Sequence, residues 1–139
     1  MKKISVELLL EGKAKPHDLV TISSGDSVMV AARMMRENNV GLIVVLEKGT
    51  LVGVISERDI VQRWVGQKDF PTEVKVKDIM TKDVEFVTAV DNVFDCYLRF
   101  VAKNCRHLPV LDATGAVMGI LSLRDVAKYV VSELQNTKH

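Results

Sequence analysis

Leu51-Val52-Gly53-Val54-Ile55-Ser56-Glu57-Arg58-Asp59-Ile60 returns 66 positions later as Val117-Met118-Gly119-Ile120-Leu121-Ser122-Leu123-Arg124-Asp125-Val126. Gly, Ser, Arg and Asp coincide, and the positions between Gly and Ser stay apolar. Further upstream, Ile22-Ser23-Ser24-Gly25-Asp26-Ser27-Val28 aligns with Val87-Thr88-Ala89-Val90-Asp91-Asn92-Val93 at an offset of 65. The chain is therefore an internal repeat. The second copy has gained one residue, expected in its helix or in the turn after it.

Each copy reads as strand–helix–strand–strand–helix. A short strand (Leu19–Ile22; Val84–Val87) leads through polar turn residues into an amphipathic helix. Val28, Ala31, Ala32 and Met35 fall at i, i+3, i+4 and i+7, and Val93, Cys96, Tyr97, Phe100 and Val101 extend the same stripe to i+8. A nearly continuous apolar run, Leu42–Leu46 or Leu108–Leu111, predicts a strand covered on both faces. Turn residues follow, Glu47-Lys48-Gly49-Thr50 and Asp112-Ala113-Thr114-Gly115, then a third strand, Leu51–Ile55 or Val117–Leu121. A second helix begins at Ser56 or Ser122.

The expected fold class is α/β (α+β): two such repeats related by a pseudo-twofold axis and packed sheet to sheet. One repeat alone has too little core, so the pair is the folding unit. The predicted organisation is an N-terminal extension with a short helix (1–18), a first repeat (19–66), a linker (67–80), a second repeat (81–133) and a tail (134–139).

Composition narrows the function. Apolar residues make up 47% and charged residues 27% of the 139, which is ordinary for a globular protein and argues against disorder. Aromatics are 5%, so the core rests on aliphatic side chains and Met. The 19 basic and 18 acidic residues nearly cancel, which disfavours nucleic acid as a partner. No apolar run reaches the roughly 18 residues of a membrane span. The N-terminal apolar run is broken by Glu7 and Glu11 and fails as a signal peptide, leaving the cytoplasm as the expected compartment. Cys96 and Cys105 fall in or near one predicted helix, nine positions apart, too far for an easy disulfide, and with His107 they match no zinc spacing. Free thiols and no metal site are expected.

The helices are apolar on a second side, with Phe94 and Leu98 on one and Met29, Val30 and Met34 on the other. So little chain has to cover both sides that a homodimer through the Val28–Met35 and Val93–Val101 helices is favoured over a deep monomer core.

The repeated Gly-apolar-apolar-Ser-x-Arg-Asp, the run Arg106-His107-Leu108-Pro109-Val110 and the linker Asp78-Ile79-Met80-Thr81 together resemble the CBS-motif family, over residues 5–133. The resemblance implies a tandem pair with a cleft on each side in which adenosine nucleotides bind. It assigns ribose binding to Asp59 and Asp125, since a carboxylate accepts a fork of bonds from a vicinal diol. Ser56 and Ser122 would contact phosphate at a helix start, where free N–H groups favour an anion. Arg58 and Arg124 point at phosphate or at solvent. The adenine would be walled by Ile22, Ile43 and Val54 from one copy and by Val87, Pro109 and Ile120 from the other. Backbone groups beside Thr21 and Thr88 would read the base edge.

The clefts are not expected to be equal. Arg106 and His107 precede the second buried strand, where the first copy is read as having Val40 and Gly41. By the resemblance, basic residues there reach phosphate, and His107 would add pH sensitivity. Ser-x-x-Asp is also close to a helix capping box, and the two roles are compatible.

The expected function is an energy or redox sensor. It would bind AMP, ADP, ATP or an NAD-type dinucleotide, NAD(H), as a ligand rather than a required cofactor, and regulate an unknown effector protein. No nucleophile–base pair, Walker loop or catalytic residue is apparent. The alternative is a non-catalytic structural dimerisation module without a physiological nucleotide.

Overall fold

The computed structural model describes residues 4–11 and 19–136. Contacts divide the chain into two units, Val20–Val84 and Met1–Leu19 with Glu85–His139.

In the first unit, β1 (Thr21–Ser23), β2 (Leu42–Glu47) and β3 (Thr50–Ser56) form a sheet in the order β1-β2-β3. β1 runs parallel to β2, and β3 returns antiparallel. The hairpin turn Lys48-Gly49 has positive φ at both residues (50° and 79°), the two-residue turn whose twist suits a tight hairpin. Helix α2 (Val28–Asn38) is capped by Ser27, whose side chain accepts the Met29 N–H at 3.0 Å. It ends on Asn39 in the left-handed region, a conformation Asn tolerates. Val28, Ala31 and Met35 bury against Ile22, Ile43, Val45 and Ile55. After β3 come a short helix α3 (Glu57–Ile60) and a π-helical turn, Val61–Val65. The turn is anchored by Trp64, whose indole N–H reaches the Pro71 carbonyl at 2.6 Å. Helix α4 (Val76–Ile79) completes this core with Val76 and Ile79.

The second unit repeats the plan with β4 (Val87–Thr88), α5 (Val93–Lys103), β5 (His107–Leu111), β6 (Val117–Ser122) and α6 (Leu123–Asn136), the sheet running β4-β5-β6. Asn92 caps α5 and Asn104 closes it in the left-handed region, as Ser27 and Asn39 do for α2. Val93, Cys96 and Phe100 bury against Val87, Leu108, Val110 and Leu121. Val101, placed on the inward stripe by the sequence, is instead 62% exposed. At about 100° per residue it lies nearly a right angle from the centre of the Val93–Cys96–Phe100 face.

The N-terminal helix, α1 (Val6–Glu11), lies in this second unit. Val6 is fully buried in its core, and the N–H groups of Val6 and Glu7 bond to the carbonyls of Asp91 and Ala89, both at 2.9 Å. In the first unit α4 takes the matching place: the N–H groups of Val76 and Lys77 bond to the carbonyls of Asp26 and Ser24, at 2.8 and 2.9 Å. The helix leading into each copy therefore packs on the other copy's sheet unit. The predicted extension 1–18 and tail 134–139 fall partly outside the described residues.

Strand register locates the inserted residue. Glu47 pairs with Thr50 across a two-residue turn. Asp112 faces Ala116, with its N–H on the Ala116 carbonyl at 2.9 Å, across the three residues Ala113, Thr114 and Gly115. Gly115 has φ 86°, and the Asp112 carboxylate accepts the N–H groups of Thr114 and Ala116. The extra residue sits in this hairpin, not in the helix or the turn after the helix. Leu42, opposite Ser56, therefore corresponds to His107, opposite Ser122, and Val44, opposite Val54, to Pro109, opposite Ile120.

Candidate functional site

That register decides which side chains can line a surface. Side chains alternate along a strand, so an error of one position exchanges the two faces. Ile22, Ile43 and Val87, expected against adenine, point into their own cores and are at most 5% exposed. Val54, Pro109 and Ile120 lie on the opposite sheet faces, as do Thr21, paired with Val44, and Thr88. Val44, absent from the predicted set, shares that face with Val54, and both are buried in this structure. Thr88 corresponds to Ser23 rather than to Thr21, and its N–H is taken by the Asp91 carboxylate at 2.8 Å.

In the first unit, Ser56 and Asp59 form a complete capping box. The Ser56 hydroxyl accepts the Asp59 N–H at 3.1 Å, and Asp59 Oδ2 accepts the Ser56 N–H at 3.0 Å. Asp59 is 6% exposed, yet its carboxylate is well partnered. The Ser56 hydroxyl lies 3.1 Å from Oδ2, the Thr81 hydroxyl donates to Oδ1 at 3.1 Å, and Arg63 Nε stands 3.6 Å from Oδ1. Arg63 also donates to the carbonyls of Ile79 and Met80 at 3.2 and 3.3 Å. Thr81 and Val54 exchange backbone bonds of 2.8 and 3.0 Å, so the linker end extends the outer edge of β3. Arg58 is exposed.

Thr81 and Arg63 were missed by the sequence reading. Arg63 stands four residues after Asp59 on one helical face, a spacing that favours an ion pair. Thr81 carried no signal of its own beyond its place in the Asp78–Thr81 segment.

In the second unit the counterparts stand at the start of α6. The Ser122 hydroxyl accepts the Asp125 N–H at 3.1 Å at the start of the 14-residue helix α6. Asp125 is half-buried, and Arg124 and Arg106 are exposed. The Leu123 N–H bonds to the Arg106 carbonyl at 2.8 Å, which pins Arg106 beside that helix start, and half-buried His107 faces Ser122. The equivalent bond in the first unit joins the Glu57 N–H to the Gly41 carbonyl at 2.9 Å, with the Glu57 carboxylate occupying the space a side chain at 41 would need. The second unit thus carries Arg106 at the position where the first carries Gly41 with the Glu57 carboxylate beside it.

Both cysteines are free, and burial pushes the Cys96 thiol up to about 11, so it stays protonated and inert near neutrality. Among the described residues no cluster of His, Cys, Asp and Glu could hold a metal ion, and no helix is long and apolar enough to cross a membrane.

Comparison with known proteins accounts for this duplicated geometry. The CBS domain matches twice, over residues 16–66 and 76–132. The chain belongs to the CBS domain family. An uncharacterized protein of Methanopyrus kandleri is 32% identical over 139 residues, covering 97% of this chain and 68% of that protein. The chain spans 61% of the length of an uncharacterized 17.7 kDa protein of Acidianus ambivalens, at 37% identity over 73% of this chain, and 65% of a mitochondrial CBS domain-containing protein of Arabidopsis thaliana, at 30% identity over 94% of this chain. Among solved structures, one CBS domain superposes with a TM-score of 0.83 at 35% identity, covering 94% of this chain and 99% of the other. A CBS domain protein of Pyrobaculum aerophilum, solved in complex with AMP, superposes with a TM-score of 0.79 at 27% identity, covering 96% and 100%.

Proposed function

We propose that this CBS pair is a non-catalytic sensor that holds an adenine nucleotide on its second repeat and passes its occupancy to a partner protein. The observation that carries the reading is the bond from the Leu123 N–H to the Arg106 carbonyl. It fixes the backbone of Arg106 beside the start of α6, where Ser122 and Asp125 also stand, so that a guanidinium is carried within reach of that helix start. Asp125 would take the ribose diol, while Ser122, Arg106, His107 and Arg124 take phosphate at the helix start, where the dipole favours an anion. Adenine would lie on the sheet face of Pro109, Ile120 and Thr88. The AMP complex of the Pyrobaculum relative supports this ligand class. AMP, ADP, ATP and NAD(H) all fit it, which makes the sensed quantity energy charge or redox state. The neutral thiols suit a reducing compartment such as the cytoplasm.

Calorimetric titration of nucleotide-free protein with AMP, ATP and NADH tests the proposal. Saturable binding is expected, weakened at least tenfold by Asp125→Ala and by Arg106→Ala, as loss of a charge-assisted partner implies. No heat with any of the three, together with an unchanged melting temperature, would sink it. The remaining reading would be a structural dimerisation module. The observation favouring that reading is the apolar outer surface of the helices, with Met29, Val30, Leu98 and Val101 all exposed. Self-association through the Val28–Met35 and Val93–Val101 helices is part of either reading.

A further inference from the structure

A carboxylate as deeply buried as that of Asp59, 6% exposed, needs its acceptor positions answered. Two residues answer them from fixed places. The Ser56 N–H and hydroxyl lie 3.0 and 3.1 Å from Oδ2, as part of the capping box. Arg63 Nε stands 3.6 Å from Oδ1, and its guanidinium is tied to the carbonyls of Ile79 and Met80. Thr81 is bonded differently. Its hydroxyl lies 3.1 Å from Oδ1 and 3.4 Å from Oδ2, across the mouth of the carboxylate fork. A vicinal diol approaches a carboxylate by the same route, one hydroxyl to each oxygen.

Thr81 can give up that place without disturbing its strand. Two backbone bonds to Val54, of 2.8 and 3.0 Å, hold its main chain, so the hydroxyl leaves by rotation about χ1 into another staggered well. Thr81 is half-buried where Asp59 is buried, so the group that covers the carboxylate is the more accessible of the two.

We infer that the Thr81 hydroxyl stands in for a ribose hydroxyl on Asp59, and that it sets the affinity of the first repeat for a nucleoside by having to be exchanged for one. The inference takes the class of ligand from the nucleotide reading above and the exchange from the geometry around Asp59. Two ribose hydroxyls donate where one threonine hydroxyl did, and the surplus of one charge-assisted bond favours the ligand. The bond given up subtracts from binding, so Thr81 holds affinity below what Asp59 alone would provide. Ser56 and Arg63 are positioning residues that keep the carboxylate aimed while Thr81 turns away.

The test uses the full chain carrying Asp125→Ala and Arg106→Ala, which removes the nucleotide site of the second repeat, titrated calorimetrically with AMP. This background should still bind AMP. The deoxyribose analogue of AMP, which offers a single hydroxyl for the one displaced, should bind about tenfold more weakly. Adding Thr81→Ala should tighten AMP about fivefold, the effect of removing one competing hydrogen bond. A residue that only braced the fold would weaken binding or leave it alone. Thr81→Val keeps the volume of threonine, guards against a loss of folding in Thr81→Ala, and should move affinity in the same direction. Thr81→Ser, which keeps the hydroxyl, should match the background within about twofold. Unchanged or weaker binding in both Thr81→Ala and Thr81→Val would overturn the exchange. Absence of AMP binding by the folded background, with the wild type binding normally, would overturn it as well and leave the nucleotide on the second repeat intact. If the wild type binds no AMP, the nucleotide reading and this inference fall together.

Discussion

Two glycines at equivalent places show how local the asymmetry is. A methyl group on Gly53 would stand 2.8 Å from Met80 Sδ and 2.9 Å from the Thr81 carbonyl oxygen. On Gly119 the nearest atom would be Leu10 Cδ1 at 3.5 Å, an ordinary contact. Gly53→Ala must push the linker off β3 and is expected to cost about 1–3 kcal/mol. Gly119→Ala should stay within about 0.5 kcal/mol, and chemical denaturation of both variants measures the difference. At this scale the sequence was legible for residue type and misleading for position. Ser56, Asp59, Ser122, Asp125 and Arg106 all stand at the helix starts or strand mouth where their pattern put them. Ile43 and Pro109, both expected against adenine, are not counterparts: Ile43 corresponds to Leu108, and nothing in an apolar run marks where an insertion falls. Only the hydrogen-bonded register shows that Val44 shares a face with Val54. The saturation of Asp59 was hidden for a related reason, since Thr81 reaches it from 22 positions away.

Helices α2 and α5 have the same length, an Asx or Ser cap at the start and a left-handed Asn at the end. Their inward stripes were readable from periodicity because burial of Val93, Cys96 and Phe100 imposes the helical period directly. Their outward faces carry Met29 and Val30 on one and Leu98 and Val101 on the other, exposed in the single chain. Replacing Leu98 and Val101 together with Glu removes no buried contact within the chain, so its folding should be little changed. Sedimentation velocity should nevertheless shift from dimer to monomer, because charges on an apolar interface are costly to desolvate. A wild-type protein that sediments as a monomer at micromolar concentration would refute self-association through this face. The second helices diverge: α6 runs 14 residues, whereas α3 gives way to the π-helical turn after four. That difference was not legible, because it depends on Trp64 reaching Pro71 beyond the helix.

Across the whole chain, repeat number and strand–helix order followed from the recurring Gly-x-x-Ser-x-Arg-Asp pattern. The exchange of leading helices did not. Ile4–Leu10 and Val74–Met80 share an apolar rhythm but few identities, so their equivalence becomes visible only when Val6 and Val76 are seen buried at matching sites. This crossing gives the two units different histories during synthesis. Val20–Val84 is one unbroken stretch, and every residue it needs has emerged once Val84 clears the ribosome. The other unit draws on both ends of the chain, so Val6 must wait, with its apolar side chain unhoused, until Phe100 and Leu121 have been made. A nascent chain arrested just after Val84 is exposed should resist protease within residues 20–84 while being cut near Val6, and protection near Val6 should appear only in longer chains. A residue translated before the whole of the first unit is thus among the last to find its place.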